Sequence, residues 1–490
     1  MPLQDVIDSP SENDVHRLPS DRPALAPAEP SSRVRYRGLI WLVAAAFFMQ
    51  ALDSTIVNTA VPAIARALDV SPLSMRTALT SYVLTLAVFI PMSPWLCDRF
   101  GTRRVFGGAI LVFSLGSLLC GVAQNLPQLV GARVVQGLGG AALLPVGRYV
   151  LARSIDRREF VGAMTTVATF GLLGSVFGPL VGGTLVEFTN WRLIFLINVP
   201  VGLMGLWLNR REMPDYRLDR ANRFDTVGFV MFAGASALLL MAAETAGSDG
   251  QWLRVGAYAL LALGLGALYV RHSHRVPHPV SDLSLLRVRS VWVSLAGNLF
   301  TRLGVSGMYL LLVLFLQIGC GWSPLAAGMM MVPQAIGSIS VKPFIDRLLT
   351  RFGYRRLLLG NTIAVSVVLC VFALLGPGTP TWVIAGWVYV YGAFMSLQYT
   401  SMNTLTYVDL DVRYASMASS MASTAQYLSM SFGIALASLL MEAFLPSHAP
   451  SAYVGAFRGS VIVLGMVTLA ASWIFSRLRD PRASGAHGAM

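Results

Sequence analysis

The sequence predicts an all-α membrane protein built from two like halves of six spanning helices, with a two-helix hairpin inserted between them, fourteen spans in all. Arg99-Phe100-Gly101-Thr102-Arg103-Arg104 returns as Arg351-Phe352-Gly353-Tyr354-Arg355-Arg356. Each copy stands where one long apolar segment ends and the next begins, the mark of an internal duplication. Apolar residues make up 55% of the chain and charged residues only 12%, too oily a balance for a surface bathed in water. Arginines crowd the N-terminal tail and every second loop and leave the intervening loops nearly bare, as expected when alternate loops face the cytoplasm. Two such halves packed face to face place a small-molecule site at their interface near the bilayer midplane, reached from one side at a time as the halves rock.

Each element follows from a run of about 20 apolar residues, enough to cross a hydrocarbon core of about 30 Å. In the first half, spans are expected near 38–60, 77–96, 105–123, 128–149, 161–184 and 193–209. Their cytoplasmic ends are set by Arg33, Arg35 and Arg37, by Arg99, Arg103 and Arg104, by Arg153, Arg157 and Arg158, and by Arg210, Arg211, Arg217, Arg220 and Arg223. Two spans near 226–244 and 253–270 match neither half and form the inserted hairpin, which ends at Arg271, Arg275, Arg287 and Arg289. The second half follows with spans near 290–317, 325–346, 355–375, 380–402, 415–442 and 455–476, and Arg347, Arg351, Arg355 and Arg356 mark its matching basic loop. The chain therefore divides into a tail at 1–36, a first bundle at 37–210, a linker carrying the hairpin at 211–289, a second bundle at 290–477 and a tail at 478–490. Both tails are polar and expected to be disordered and cytoplasmic, and no apolar core of a signal peptide precedes Gly38.

Several classes of function are disfavoured. A net charge of +13 invites a nucleic-acid partner, but the arginines alternate with the loops instead of forming the continuous face that phosphate binding needs. Lys342 is the only lysine and is followed by Pro343, so the phosphate-cradling loop of a nucleotide-driven pump, which ends in Lys and Ser or Thr, is missing. An enzyme working inside the bilayer would need a nucleophile, base or metal set there. His16, His272, His274, His278, His448 and His487 all fall in expected tails or loops. Cys97, Cys120, Cys320 and Cys370 show no paired spacing and read as small apolar fillers.

Charges inside the spans carry the chemistry. Asp53 is the one carboxylate well inside the first span, about fifteen residues and so about 22 Å from the cytoplasmic edge. A carboxylate taken out of water is easier to protonate, which suits a proton-coupled cycle; the competing reading is a permanently ionised acid held by a cation for structure. Arg133, about six residues or about 9 Å inside the external edge of the fourth span, lies at nearly the same depth and is its natural partner. Arginine does not deprotonate, so it can tune the acid without carrying the proton, unless the pair is structural. Asp98, Arg99, Gly101, Arg103 and Arg104 occupy the cytoplasmic end of the second span and the tight turn into the third, where Gly101 permits the bend. They are expected to form a conformational latch that pairs with a neighbouring helix end in one state and lets go in the other. In the second copy Thr350 stands where Asp98 does. Lys342 lies about 12 Å inside the cytoplasmic edge and Arg302 about twelve residues into the ninth span. Either Lys342 pairs with Asp346 one turn on, or both cations face the cavity and attract anions. With them, Asn58, Gln136, Asn298 and Gln334 are the candidates for contacting a substrate, and Gln50, Gln398, Tyr399, Asn403 and Gln426 are further lining candidates.

Five motifs in order support a family resemblance: Leu52-Asp53-Ser54-Thr55-Ile56-Val57-Asn58-Thr59-Ala60-Val61-Pro62, Asp98 to Arg104, Arg133-Val134-Val135-Gln136-Gly137-Leu138-Gly139-Gly140, Gly174 to Gly183, and Trp191-Arg192 followed by Phe195-Leu196-Ile197-Asn198-Val199-Pro200. Over residues 38–476 the chain resembles the major facilitator superfamily transporters of the fourteen-span drug:proton antiporter type, the EmrB/QacA group. The resemblance implies the major facilitator fold and proton-driven export of hydrophobic or cationic compounds by alternating access. It also implies a monomer in a bacterial inner membrane whose partners are the substrate, protons and the bilayer, with no nucleic acid, nucleotide, cofactor or enzymatic activity. It gives Gly174, Gly178, Pro179, Gly182 and Gly183 the role of sealing the contact between halves, although their spacing suits ordinary close packing equally well. Ser93 stands where the loop motif usually begins with glycine. The alternative substrate is an anionic metabolite, such as an organic acid or its metal complex, because Arg133, Arg302 and Lys342 outnumber Asp53.

Overall fold

The computed structural model describes residues 36–217, 223–246, 250–277, 279–410, 415–447 and 449–478, with the backbone alone at 157, 158, 415 and 416. But for Tyr36 and Leu478, the expected tails lie outside the described residues, as do Arg220, His278 and His448. Among the described residues the chain is helical, and twelve helices are long and apolar enough to cross a membrane. The first half comprises α1 (Arg37–Ala67), α2 (Pro72–Phe100), α3 (Thr102–Val122), α4 (Leu126–Ser154), α5 (Arg157–Phe188) and α6 (Leu193–Glu212). The inserted hairpin is α7 (Thr226–Thr245) and α8 (Trp252–Ser273), and α9 (Arg289–Gly319) opens the second half.

The tenth passage is segmented where a single span is expected. α10 consists of Pro324–Met329, Val332–Ser340 and the start of the run Lys342–Phe372. Pro333 and Pro343 stand at the starts of the second and third segments, where the missing N–H breaks the hydrogen-bond ladder. Gly353 kinks the last run with φ 73°, and the helix beyond it is α11. α12 (Thr381–Leu405), α13 (Ala415–Ala443) and α14 (Pro450–Ser476) complete the half. Among the described residues, α10 and α12 added to these twelve make fourteen helical passages, the number that the apolar pattern predicts. The duplication is visible in the backbone too: Gly101 between α2 and α3 has φ 88°, the left-handed region that Gly353 also adopts in the second copy of the motif.

Helices pack chiefly within their own half: α1 against α5, α3 and α2 against α4, α10 against α12, and α14 against α9 and α11. α7 and α8 pack on each other, and α7 also touches α2 and α13. Leu253, Leu260, Leu261 and Leu263 of α8 are exposed, an apolar surface of the kind that lies against a bilayer or another protein. His272, expected in a loop, instead closes α8, its Nε2 lying 2.7 Å from Oδ1 of Asp225, which caps α7.

The halves meet toward the end of the bundle remote from Gly101 and Gly353, here called the distal end. Gln317 Nε2 donates to the Thr59 carbonyl at 2.9 Å and the Leu325 N–H to Glu187 Oε2 at 2.9 Å. Ser431 Oγ donates to the Thr80 carbonyl at 3.1 Å and Arg76 Nη1 to Glu442 Oε2 at 2.5 Å.

Candidate functional site

Asp53 is fully buried at the centre of a cage drawn from four helices. Its Oδ2 accepts a hydrogen bond from Arg133 Nη1 of α4 at 2.7 Å. Its Oδ1 accepts from Gln136 Nε2 of α4 at 2.8 Å and from Asn198 Nδ2 of α6 at 3.0 Å. Ser117 Oγ of α3 accepts from Gln136 Nε2 at 2.6 Å and lies 3.3 Å from Asn198 Nδ2. Arg133 and Gln136 share a helix face because they stand three residues apart, and Arg133 Nη1 also reaches Gln136 Oε1 at 2.5 Å. The guanidinium stacks over the Tyr82 ring of α2, 4.1 Å from its centroid. Gly137 and Gly139 let α4 come this close, since a Cβ at either would run into α2 or α3. Asn198 begins the regular part of α6 just after a short break at Ile197. The cage is electrically neutral with one acid and one base, so a single proton added to Asp53 would leave Arg133 without its counter-ion.

Asp53 and Arg133 thus meet as their matched depths predict. Gln136, expected to touch substrate, belongs to the same cage, with no exposed surface. Asn198 stands in the sequence only as part of a motif, and its one signal is a single amide within the otherwise apolar stretch Phe195 to Val199.

A further buried charge is Arg302 of α9, 6% exposed. Its Nε donates to Asn298 Oδ1 at 2.6 Å, and its guanidinium stacks over Tyr399 of α12 at 3.9 Å. Tyr427 of α13 is a further electrostatic neighbour. Among the described residues no carboxylate pairs with Arg302, in contrast to Arg133.

Other expected contacts resolve differently. Lys342 is exposed at the start of a helical segment and forms no ion pair with Asp346, one turn on in the same segment, since both side chains are exposed and gain little from pairing. Asn58 is half-buried and bonds the carbonyls of Ser54 and Thr55 on its own helix. Gln334 is buried on α10 with its backbone against Gly392 of α12. Gln398 is fully buried, bonded to Asn361 and Thr362 within the second half, so it does not line a passage.

The arginine turn is held by the start of the linker that follows α6. Arg103 Nε donates to the Met213 carbonyl at 2.7 Å, and the Arg103 N–H to Asp215 Oδ1 at 3.2 Å. Thr102 exchanges hydrogen bonds with Pro214 and Tyr216, whose hydroxyl meets Ser154 Oγ at 2.9 Å. The turn expected to act as a latch is thus fastened to the chain leaving α6, while Asp98 has Arg153 of α4 as its charged neighbour.

The glycine stripe does not seal the halves as a whole. A Cβ at Gly174, Gly178 or Gly182 would strike α1, at Phe48, Thr55 and Thr59 respectively, so three of the motif's glycines serve packing inside the first half. Gly183 faces Pro324 of α10, and the Pro179 carbonyl abuts Gly328, so these two positions alone of the five cross to the second half.

Comparison with known proteins agrees with this architecture. The family model described as Major Facilitator Superfamily matches residues 43–434. The chain is 41% identical over 414 residues to a protein of Pectobacterium atrosepticum described as "Putative multidrug resistance protein MdtD", covering 84% of this chain and 88% of that one. A protein of the same description from Escherichia coli is 41% identical over 422 residues, with the same coverage. Among solved structures, the D-xylose–proton symporter superposes with a TM-score of 0.64 at 13% identity, covering 91% of this chain and 98% of that one. The POT family transporter PepTSo superposes with a TM-score of 0.67 at 15% identity, covering 90% and 97%. At these identities the two structures speak to the fold alone.

Proposed function

The chain belongs to the major facilitator superfamily and is a membrane transporter of small molecules, not an enzyme; from that premise we propose that it is a proton-coupled exporter working by alternating access. The observation that carries the coupling is the Asp53 cage, with a wholly buried carboxylate whose only charged hydrogen-bond partner among the described residues is Arg133. In the cycle, a proton reaching Asp53 cancels its charge, weakens its hold on Arg133 and frees α4 to shift against α1. Loss of the proton on the other side re-forms the pair. Asp53 carries the proton, Arg133 senses it, and Gln136 and Asn198 hold the carboxylate in place between steps. The distal contacts correspond to a state closed on that side, which the arginine loops make the external one. The multidrug resistance description of the relatives supports hydrophobic or cationic compounds as cargo.

The test is reconstitution in liposomes containing a pH-sensitive dye, with lipophilic cations added one at a time. Addition should move protons in the unaltered protein, and Asp53→Asn should abolish the movement while the protein stays inserted. Uphill transport by that variant would remove Asp53 from the mechanism.

Arg302 favours a second reading, export of an anionic metabolite, because a buried cation without a carboxylate partner is a site for one brought by the cargo. Small carboxylates added to the same liposomes decide between the two. Under this reading Arg302→Gln loses the carboxylate response by at least about tenfold and spares cations; an equal loss of both makes Arg302 structural.

A further inference from the structure

The inserted hairpin has no counterpart in either half, yet one of its side chains reaches the place where they meet. Arg76, at the distal end of α2, is 7% exposed and its guanidinium is shared by two glutamates. Nε donates to Glu244 Oε2 at 2.8 Å and Nη2 to the Glu244 carbonyl at 3.0 Å. Nη1 donates to Glu442 Oε2 at 2.5 Å. Glu244 closes α7 and Glu442 closes α13, so one guanidinium joins the first half, the hairpin and the second half. Thr80, one turn along α2, brings its Oγ1 within 3.0 Å of Glu244 Oε1 and offers its carbonyl to Ser431 of α13.

The two grips are unequal. Glu244 engages α2 through Arg76 Nε, Arg76 Nη2 and Thr80 Oγ1, whereas Glu442 engages it through one bond. The Glu442 side chain is also the more exposed, 39% against 16% for Glu244. The single bond to Glu442 is the weaker of the two grips on α2 and the one expected to break first when the halves part at this end. A guanidinium is a rigid planar fork, so occupying Nε and Nη2 fixes where Nη1 points. Without the Glu244 carboxylate, Arg76 keeps only the Glu244 backbone carbonyl on that side, so the aim of Nη1 is no longer fixed and the bridge to α13 weakens.

We propose that Glu244 of the inserted hairpin is a positioning residue for the transport cycle, holding Arg76 as the bolt that Glu442 receives when the distal end is shut. The proposal rests on the alternating-access reading above, but it is tested without substrate or a proton gradient. The full chain, with its four cysteines replaced by alanine, is spin-labelled at Gln124→Cys and Leu374→Cys in lipid nanodiscs. Both sites are exposed at the distal end, one in each half. The distance distribution between the labels then reports closure. Arg76→Gln, Glu442→Gln and Glu244→Gln should each raise the long-distance population about tenfold, the scale of one lost charge-assisted hydrogen bond. Glu244→Gln added to Arg76→Gln should widen it no further, a signature that general loosening of the fold does not give.

An unchanged distribution in Glu244→Gln while Glu442→Gln widens it, or additive widening in the double variant, overturns the proposal. Should Glu244→Gln not fold, Thr80→Val loosens the same grip, and the same shift in direction is required of it. Failure of proton exchange in liposomes with these distances responding would defeat the function and leave the bolt; exchange with unresponsive distances would do the reverse.

Discussion

Taking one carboxylate and one guanidinium out of water costs several kcal/mol per ion, and the return comes only if their remaining donors and acceptors are filled. Around Asp53 they are filled, by Arg133, Gln136 and Asn198, with Tyr82 covering the face of the guanidinium. Truncating one partner strands the other. Asp53→Leu and Arg133→Leu should each destabilise the protein by about 3–5 kcal/mol, and the double variant by clearly less than the sum, because it buries no orphan charge. Thermal unfolding in detergent measures this, and strict additivity would mean that the two side chains act independently. The pair was legible in the sequence because charges inside an apolar span are rare and their depths can be counted from its edges. Asn198 was not legible as a partner, since an amide carries no charge and its aim depends on the break at Ile197. Arg76, Glu244 and Glu442 escaped for a different reason: each stands at a helix end, where a charge is ordinarily solvated and its partner lies on a distant helix.

At the scale of helices, spacing tells which residues share a face but not which neighbour that face meets. Gly174, Gly178 and Gly182 are one stripe in the sequence, and the structure turns it onto α1, while Gly183, next along the chain from Gly182, points to α10. The two directions predict opposite phenotypes. Gly178→Val forces a side chain into Leu52 and Thr55 inside one half, so it should lower thermal stability whatever the state of the transporter. Gly183→Val meets Pro324 across the halves, so it should leave unfolding nearly unchanged and shift the distal distance distribution toward the open population. Equal loss of stability in both would mean that the halves unfold as one body. Segmentation of α10 was hidden by composition. Its apolar run reads as continuous, and Pro333 and Pro343 alone mark where the ladder fails.

Across the whole molecule the duplication is geometric as well as textual, for Gly101 and Gly353 adopt the same left-handed turn, yet the two halves have diverged in charge. The first helix of one half buries an acid with a base beside it; the first helix of the other buries Arg302 without an acid. Orientation follows from a second asymmetry. Arginines at the distal end are largely spent on protein carbonyls: Arg192 on Ala123, Arg458 on Leu375 and Arg66 on Pro62. Those at the other end, among them Arg99, Arg104, Arg210, Arg271 and Arg275, are exposed, an excess that predicts a cytoplasmic position for their loops. The prediction is that, in a variant without native cysteines, Gln124→Cys reacts with a membrane-impermeant maleimide on intact cells. Arg275→Cys should react only after the membrane is opened. The reverse pattern would turn the molecule over in the membrane. The distal end would then face inward, and the closed side of the Arg76 contact would be the cytoplasmic one.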